Sequence, residues 1–177
     1  MRVPAIIAFV IYCSSIVVAN WLILNVGTVR LPDGTYLVPV GFGLMAPSGA
    51  FAAGATFVAR DVVQRVAGRR WAVVAILAGT VLSVMVSPQL AVASGSAFLF
   101  SELADFAVYT PLQERRFVLA VVLSGIVGSI VDSLIFLTLA GISLAAALPG
   151  MLLAKVWVQF LAGPLAAWLR VRLPRAA

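Results

Sequence analysis

Apolar runs recur along this chain, most of them about twenty residues long. A run of roughly 18 or more is enough to cross the hydrocarbon core of a bilayer as a helix. The first extends from about Pro4 to Leu24, followed by Val40 to Ala59, Trp71 to Ser87, a shorter Ser96 to Tyr109, Phe117 to Ala140 and Leu148 to Leu169. Six spans predict an all-α integral membrane protein, a single six-helix transmembrane domain over residues 1–177 without internal repeat or linker. The composition agrees: 63% of residues are hydrophobic, against roughly 45–50% in soluble domains. The breaks carry turn or stop chemistry: Pro32-Asp33-Gly34 between spans one and two, Pro88 after span three, Thr110-Pro111 after span four. Residues 1–19 mimic a signal peptide, but the apolar stretch continues through Trp21-Leu22-Ile23-Leu24, too long for an h-region.

The net charge is +6, from twelve basic and six acidic residues. Most arginines cluster near span ends: Arg65, Arg69 and Arg70; Arg115 and Arg116; Arg170, Arg172 and Arg175. With Arg60, these put nine arginines on one side of the predicted membrane and only Arg30 in the opposite loops. Excess positive charge marks cytoplasmic loops, so both termini are expected in the cytoplasm, with the chain multi-pass in the cell membrane. The same pattern argues against a nucleic-acid partner. Cys13 is the only cysteine and there is no histidine. That removes disulfides, cysteine or histidine metal clusters and serine–histidine catalysis, and no cofactor is expected.

Against this apolar background stand Glu102, Asp105, Asp132 and Lys155, all inside predicted spans. An ionisable group at the centre of a membrane helix costs roughly 2.5–3.5 kcal/mol on insertion scales, so such residues are rare and face the bundle interior. Counting from the outer span ends at about 1.5 Å per residue places them roughly 9–14 Å deep, in one layer of the outer half. Phe98, Glu102, Asp105 and Tyr109 share one helical stripe, as do Gly125, Ser129, Asp132 and Phe136; Lys155 and Gln159 are an i, i+4 pair. Three acids against one base suggest protonation, a bound cation, or a cationic or donor-rich ligand. The bland alternative is an ion-pair network that only fixes helix packing.

Arg60 and Asp61 are expected near the cytoplasmic end of span two, as a gating or structural pair. Trp21 reads as an interfacial anchor, and Asn20 either caps the site from above or sits at a solvated helix end. The small residues Ala46, Ser48, Gly49, Ala50, Ala52, Ala53, Gly54 and Ala55 predict close helix packing, or room for a substrate beside a helix broken near Pro47.

Ser101-Glu102-Leu103-Ala104-Asp105, Gly128-Ser129-Ile130-Val131-Asp132-Ser133, Lys155 with Pro164, and Asp61-Val62-Val63-Gln64 with Gly68 resemble the VUT family of queuosine precursor transporters. The resemblance extends over about Gly41 to Leu169. It departs from the family where Arg65 replaces an acidic residue, Ala53-Gly54 a Phe-Pro pair, and Ser129 a glutamine. It implies six helices arranged like the substrate-binding subunits of energy-coupling-factor vitamin transporters, and uptake of 7-deazaguanine bases. By position it makes Glu102, Asp105, Asp132 and Lys155 the polar-site candidates. A carboxylate accepts the two adjacent N–H donors of such a base as it accepts an arginine fork. Phe98, Phe106 or Tyr109 would stack on the flat ring, with Ser129, Gln159 and Asn20 as further contacts.

The leading expectation is therefore a solitary carrier of a small deazapurine substrate in the lipid bilayer, with a homo-oligomer open. The alternatives are a substrate-binding subunit needing an ATPase partner and a structural membrane protein. No Gly-rich phosphate-cradling loop is present, so ATP hydrolysis by that route is not expected. An enzyme is not expected either, because Glu102 and Asp105 are adjacent acids without an obvious nucleophile.

Overall fold

The computed structural model describes residues 3–32, 34–86 and 90–172, including all side chains there except those of residues 163, 166 and 169–172. Asp33, Pro88, Arg2 and Arg175 lie outside that range, as do the side chains of Arg170 and Arg172. Six long helices are described: α1 (Val3–Asn25), α2 (Ala50–Ala67), α3 (Arg69–Val86), α4 (Ala91–Leu112), α5 (Phe117–Leu139) and α6 (Leu144–Arg172). Between α1 and α2 lie three short strands, β1 (Val29–Arg30), β2 (Tyr36–Gly41) and β3 (Leu44–Pro47), in an antiparallel sheet of order β1-β2-β3.

Among the described residues, five helices are long and apolar enough to cross a membrane: α1, α3, α4, α5 and the 144–162 part of α6. Their outward faces are greasy, with Ile6, Ile7, Val10 and Ile11 on α1, Leu77 and Val81 on α3, and Phe160 and Leu161 on α6 all exposed. The polar residues point the other way, with Glu102, Asp105, Ser124 and Lys155 fully buried. Apolar outside and polar inside is what lipid selects, and the chain is a multi-pass membrane protein.

The second span differs most from expectation. An apolar helix over Val40 to Ala59 is replaced by β2, β3 and a helix that begins only at Ala50. The reason is local: Pro39, Gly41, Gly43 and Pro47 punctuate the run, and Gly41, Phe42 and Gly43 all take positive φ to turn the hairpin. Pro47 therefore ends a strand and does not break a helix. Starting ten residues later, α2 carries Arg60 and Asp61 at mid-length, where a cytoplasmic helix end was expected. Its charges disqualify it as an apolar span, yet it packs against all five other helices and is sheltered by them. Other boundaries move less. Helix α4 starts five residues before Ser96 and continues through Pro111, tolerated in its last turn; α6 starts at Leu144.

The sheet caps one end of the bundle, seated on α1 and α6. Trp157 Nε1 donates to the Val40 carbonyl at 3.3 Å, so this side chain serves the sheet as well as the outer surface. Ser48 Oγ donates to the Leu22 carbonyl at 2.7 Å, tying the β3–α2 junction to α1. A Cβ on Gly150 would collide with the Met45 backbone oxygen. Backbone cannot retreat as a flexible side chain does, so Gly150→Ala is expected to cost about 1–3 kcal/mol. Thermal unfolding in detergent should show a Tm lower by several degrees. An unchanged Tm would mean that the sheet is not clamped by α6. The opposite end of the bundle carries Arg65, Arg69, Arg70, Arg115 and Arg116, and α2 passes to α3 there through Gly68 at φ 91°.

Candidate functional site

The central helix α2 supplies the hub. Arg60 is 0% exposed, and its guanidinium meets carboxylates on two helices. Nε donates to Glu102 Oε2 at 3.1 Å; Nη2 lies 3.0 Å from Asp61 Oδ1 and also contacts Asp105. Nη1 donates to Gln64 Oε1 at 2.9 Å, one turn along α2. The rings of Tyr109 and Phe106 flank the cation, with centroids 5.3 and 5.8 Å from its Cζ. Two of the aromatics expected to stack on a ligand are therefore placed around Arg60, where their faces attract a guanidinium. Tyr109 Oη also donates to the Asp61 carbonyl at 3.1 Å, and Ser124 Oγ on α5 donates to Asp61 Oδ2 at 3.3 Å.

Small residues allow this convergence. A Cβ on Gly128 would press on Phe57 and on Asp105 Cβ, so glycine there lets α5 lie against the carboxylate helix. Gly54 lets α2 approach the α6 backbone at Lys155.

Lys155 belongs to a second cluster. Its Nζ pairs with Asp132 and donates to Ser133 Oγ at 2.9 Å, joining α5 to α6. The expected single layer of four charges is thus two clusters, one around Arg60 and one around Lys155. Asp61, Glu102 and Asp105 thus gather on Arg60, and Asp132 on Lys155.

A cavity leads from the sheet end to that cluster. About 70 Å³ is open to water centres, between Asn20 on α1, Pro47 and Gly49 at the β3–α2 junction, Thr56 on α2, Ser94, Phe98 and Glu102 on α4, and Phe136 and Met151. Glu102 is the carboxylate in its lining; the residue is fully buried, and its Oε1 accepts no hydrogen bond among the described residues. Its walls hold a hydroxyl–amide chain: Ser83 and Ser94 are 2.6 Å apart, and Ser94 donates to Asn20 Oδ1 at 3.0 Å. Asn20 is 8% exposed and so not at a solvated helix end. The volume admits several waters but is under half of the roughly 150 Å³ of an engineered cavity that takes benzene. A fused-ring ligand therefore requires Phe98, Met151 or the sheet to move.

Of the sequence candidates, Glu102, Phe98 and Asn20 line this cavity, and Asp105, Asp132, Lys155, Tyr109, Ser129 and Gln159 do not. Gln159 packs its amide on Gly125, and neither Gln159 Oε1 nor Ser129 Oγ has a hydrogen-bond partner among the described residues. Sequence reasoning missed Thr56, Ser83 and Ser94, three hydroxyls without a distinguishing pattern. It also missed Tyr12, fully buried with its ring 6.2 Å from Phe98. Arg60 as the hub was recoverable, because Pro47-Ser48-Gly49 is a helix-start signal that puts Arg60 ten residues into α2.

A second cavity opens at the arginine end, lined by Gln64, Arg65, Arg69, Trp71, Gln113 and Arg115. Gln64 Oε1 accepts from Arg60, and its Nε2 donates to Thr110 Oγ1 at 3.0 Å. The Arg60 cluster therefore stands between two cavities, with Glu102 on the wall of one and Gln64 on the wall of the other.

The fold and this polar interior define a multi-pass membrane protein with an inward-facing charged site. Residues 84–169 match the model of a family described as "Putative vitamin uptake transporter". The matched stretch, just under half of the chain, takes in α4, α5 and most of α6, and with them Glu102, Asp105, Asp132 and Lys155. No curated protein and no solved structure matches the chain.

Proposed function

We propose that this chain is an uptake carrier for a flat, donor-rich nitrogen heterocycle of the 7-deazaguanine class, a queuosine precursor. The observation that carries this reading is Glu102 itself, a fully buried carboxylate in the cavity lining whose Oε1 accepts no hydrogen bond among the described residues. A buried oxygen without a donor is costly, and a ligand that brings two adjacent N–H groups offsets that cost. Phe98 offers a ring face for stacking and Asn20 an amide for the polar edge of the base. Asp105, Asp61 and Tyr109 hold Arg60, which in turn positions Glu102. The Lys155–Asp132 pair, with Gln159 and Ser129 nearby on the same helices, fixes α5 against α6 beside the site.

The match to an uptake-transporter family supports movement of a substrate, as does the second cavity on the far side of the cluster. All six helices, α2 included, would then cross the cell membrane, with the arginine end and both termini in the cytoplasm. Glu102→Gln keeps the size of the side chain but replaces one acceptor oxygen with a donor. Uptake of a 7-deazaguanine base by cells carrying it is expected to fall at least about tenfold, the scale of one lost charge-assisted contact. Wild-type uptake by a well-expressed Glu102→Gln protein would remove Glu102 from the site. Restoration of queuosine-modified tRNA in cells unable to make or import the precursor tests the substrate. Failure with every deazaguanine, despite good membrane expression, would sink that assignment.

A further inference from the structure

The Arg60 cluster has more negative charge than the substrate reading uses. Asp61, Glu102 and Asp105 are each at most 1% exposed and share the single guanidinium of Arg60. Glu102 is the carboxylate that reaches the cavity. Asp105, one turn further along α4, is recessed from it; it contacts Arg60, yet neither of its oxygens accepts a hydrogen bond among the described residues. Arg65, also buried on α2 one turn beyond Asp61, is a second cation at this end, so three carboxylates lie with two cations between the cavities. A neutral base brings no charge to balance the excess.

The geometry points to a proton as the coupling ion, carried at Asp105. This rests on the transport reading above. A proton is received through Glu102 at the sheet-end cavity, resides on an Asp105 oxygen, and leaves past Asp61 and Gln64 to the arginine-end cavity. Each cycle takes up one proton on one side and releases it on the other, and no covalent bond other than the carboxyl O–H is made or broken.

The surroundings of Asp105 fit this assignment. From α2 it meets Arg60, which also holds Asp61, with the buried cation Arg65 one turn beyond; on its own helix stand Glu102 and Tyr109. Tyr12 on α1 packs its ring 6.2 Å from Phe98, one turn from Glu102 on α4, and Asp132 on α5 is paired to Lys155 of α6. Helix α3 buries no charged group. Arg60 is therefore the cation in direct contact with Asp105, and it is shared three ways. A metal ion fits poorly: among the described residues no three acidic or thiol groups converge on a common point, and Arg60 occupies the centre of the carboxylates. A proton needs no such cage.

The test uses the purified full chain in liposomes, with 7-deazaguanine as the probe and the membrane potential clamped. An alkaline lumen one pH unit from the medium should drive accumulation toward about a tenfold ratio for one proton per base. A sodium gradient without a pH gradient should drive none. Asp105→Asn should lose the pH-driven accumulation, and where exchange is lost with it the pH-dye measurement on the wild type decides. Accumulation driven by sodium, or an Asp105→Asn protein that follows the pH gradient as the wild type does, would overturn the proposal. If that variant does not reconstitute, a pH dye with the wild type decides. Alkalinisation of the medium on adding the base supports proton coupling, and uptake without it overturns it. Absence of any exchange by the wild type is a separate outcome, which overturns the transport reading and the proton assignment with it.

Discussion

Arg60→Ala is expected to abolish both folded protein and uptake. The substitution leaves Asp61, Glu102 and Asp105 buried together without the cation they share. Removing one partner of a buried ion pair costs about 3–5 kcal/mol, and here three acids lose the same partner. Whole domains are stable by about 5–15 kcal/mol, so the loss consumes much of the margin. It also empties the space between the Tyr109 and Phe106 rings and removes the donor to Gln64. Size-exclusion profiles and Tm in detergent read the effect. Arg60→Lys should recover part of the stability, because an ammonium restores the charge but lacks the planar fork that reaches several acceptors at once. An Arg60→Ala protein with the Tm of the wild type would show that the guanidinium is not the hub.

Lys155→Met should be the next most damaging change. It removes the cation from Asp132 and the donor from Ser133 while keeping a flexible side chain of similar length. Asp132 is 9% exposed, so some relief from water is open to it, and the lower part of the same 3–5 kcal/mol range is expected. The pair is predicted to act as a unit. Asp132→Asn combined with Lys155→Met leaves no stranded charge and should regain most of the lost stability. A double variant as unstable as the sum of the singles would show that the two groups are independent. Uptake separates this cluster from the first. If the pair only fixes α5 on α6, the double variant transports, whereas changes at Glu102 do not.

Most of the helices are legible because lipid imposes a length and a composition that apolar runs report directly. The ends of α1, α3 and α5 fall within two residues of the runs that predict them. The exception is physical. Val40 to Ala59 is apolar enough for a span, but hydropathy does not register that Pro39, Gly41, Gly43 and Pro47 turn its first part into a hairpin. That error carried Arg60 and Asp61 to a helix end, and with it the main misreading of the site. Glu102, Asp105, Asp132 and Lys155 were conspicuous because charge is rare in such helices. Helical spacing correctly turned them inward, but spacing along a helix does not say which cation meets which acid. The packing of α2 at the centre of the other five assigns Arg60 to Glu102 and Asp105, and the packing of α6 on α5 assigns Lys155 to Asp132. The cavity hydroxyls Thr56, Ser83 and Ser94 carried no signal, since serine and threonine are common on membrane-helix faces.

The proposed function requires this chain by itself to move a deazaguanine base across a membrane. Uptake of labelled 7-deazaguanine by liposomes containing only the purified protein measures that. Saturable uptake above that of empty vesicles is expected, without ATP or a second protein, and its loss in Glu102→Gln. Monodisperse, correctly reconstituted protein that takes up no more than empty vesicles would contradict it. Uptake that appears only when an ATPase complex is added would instead make the chain the substrate-binding part of a larger machine.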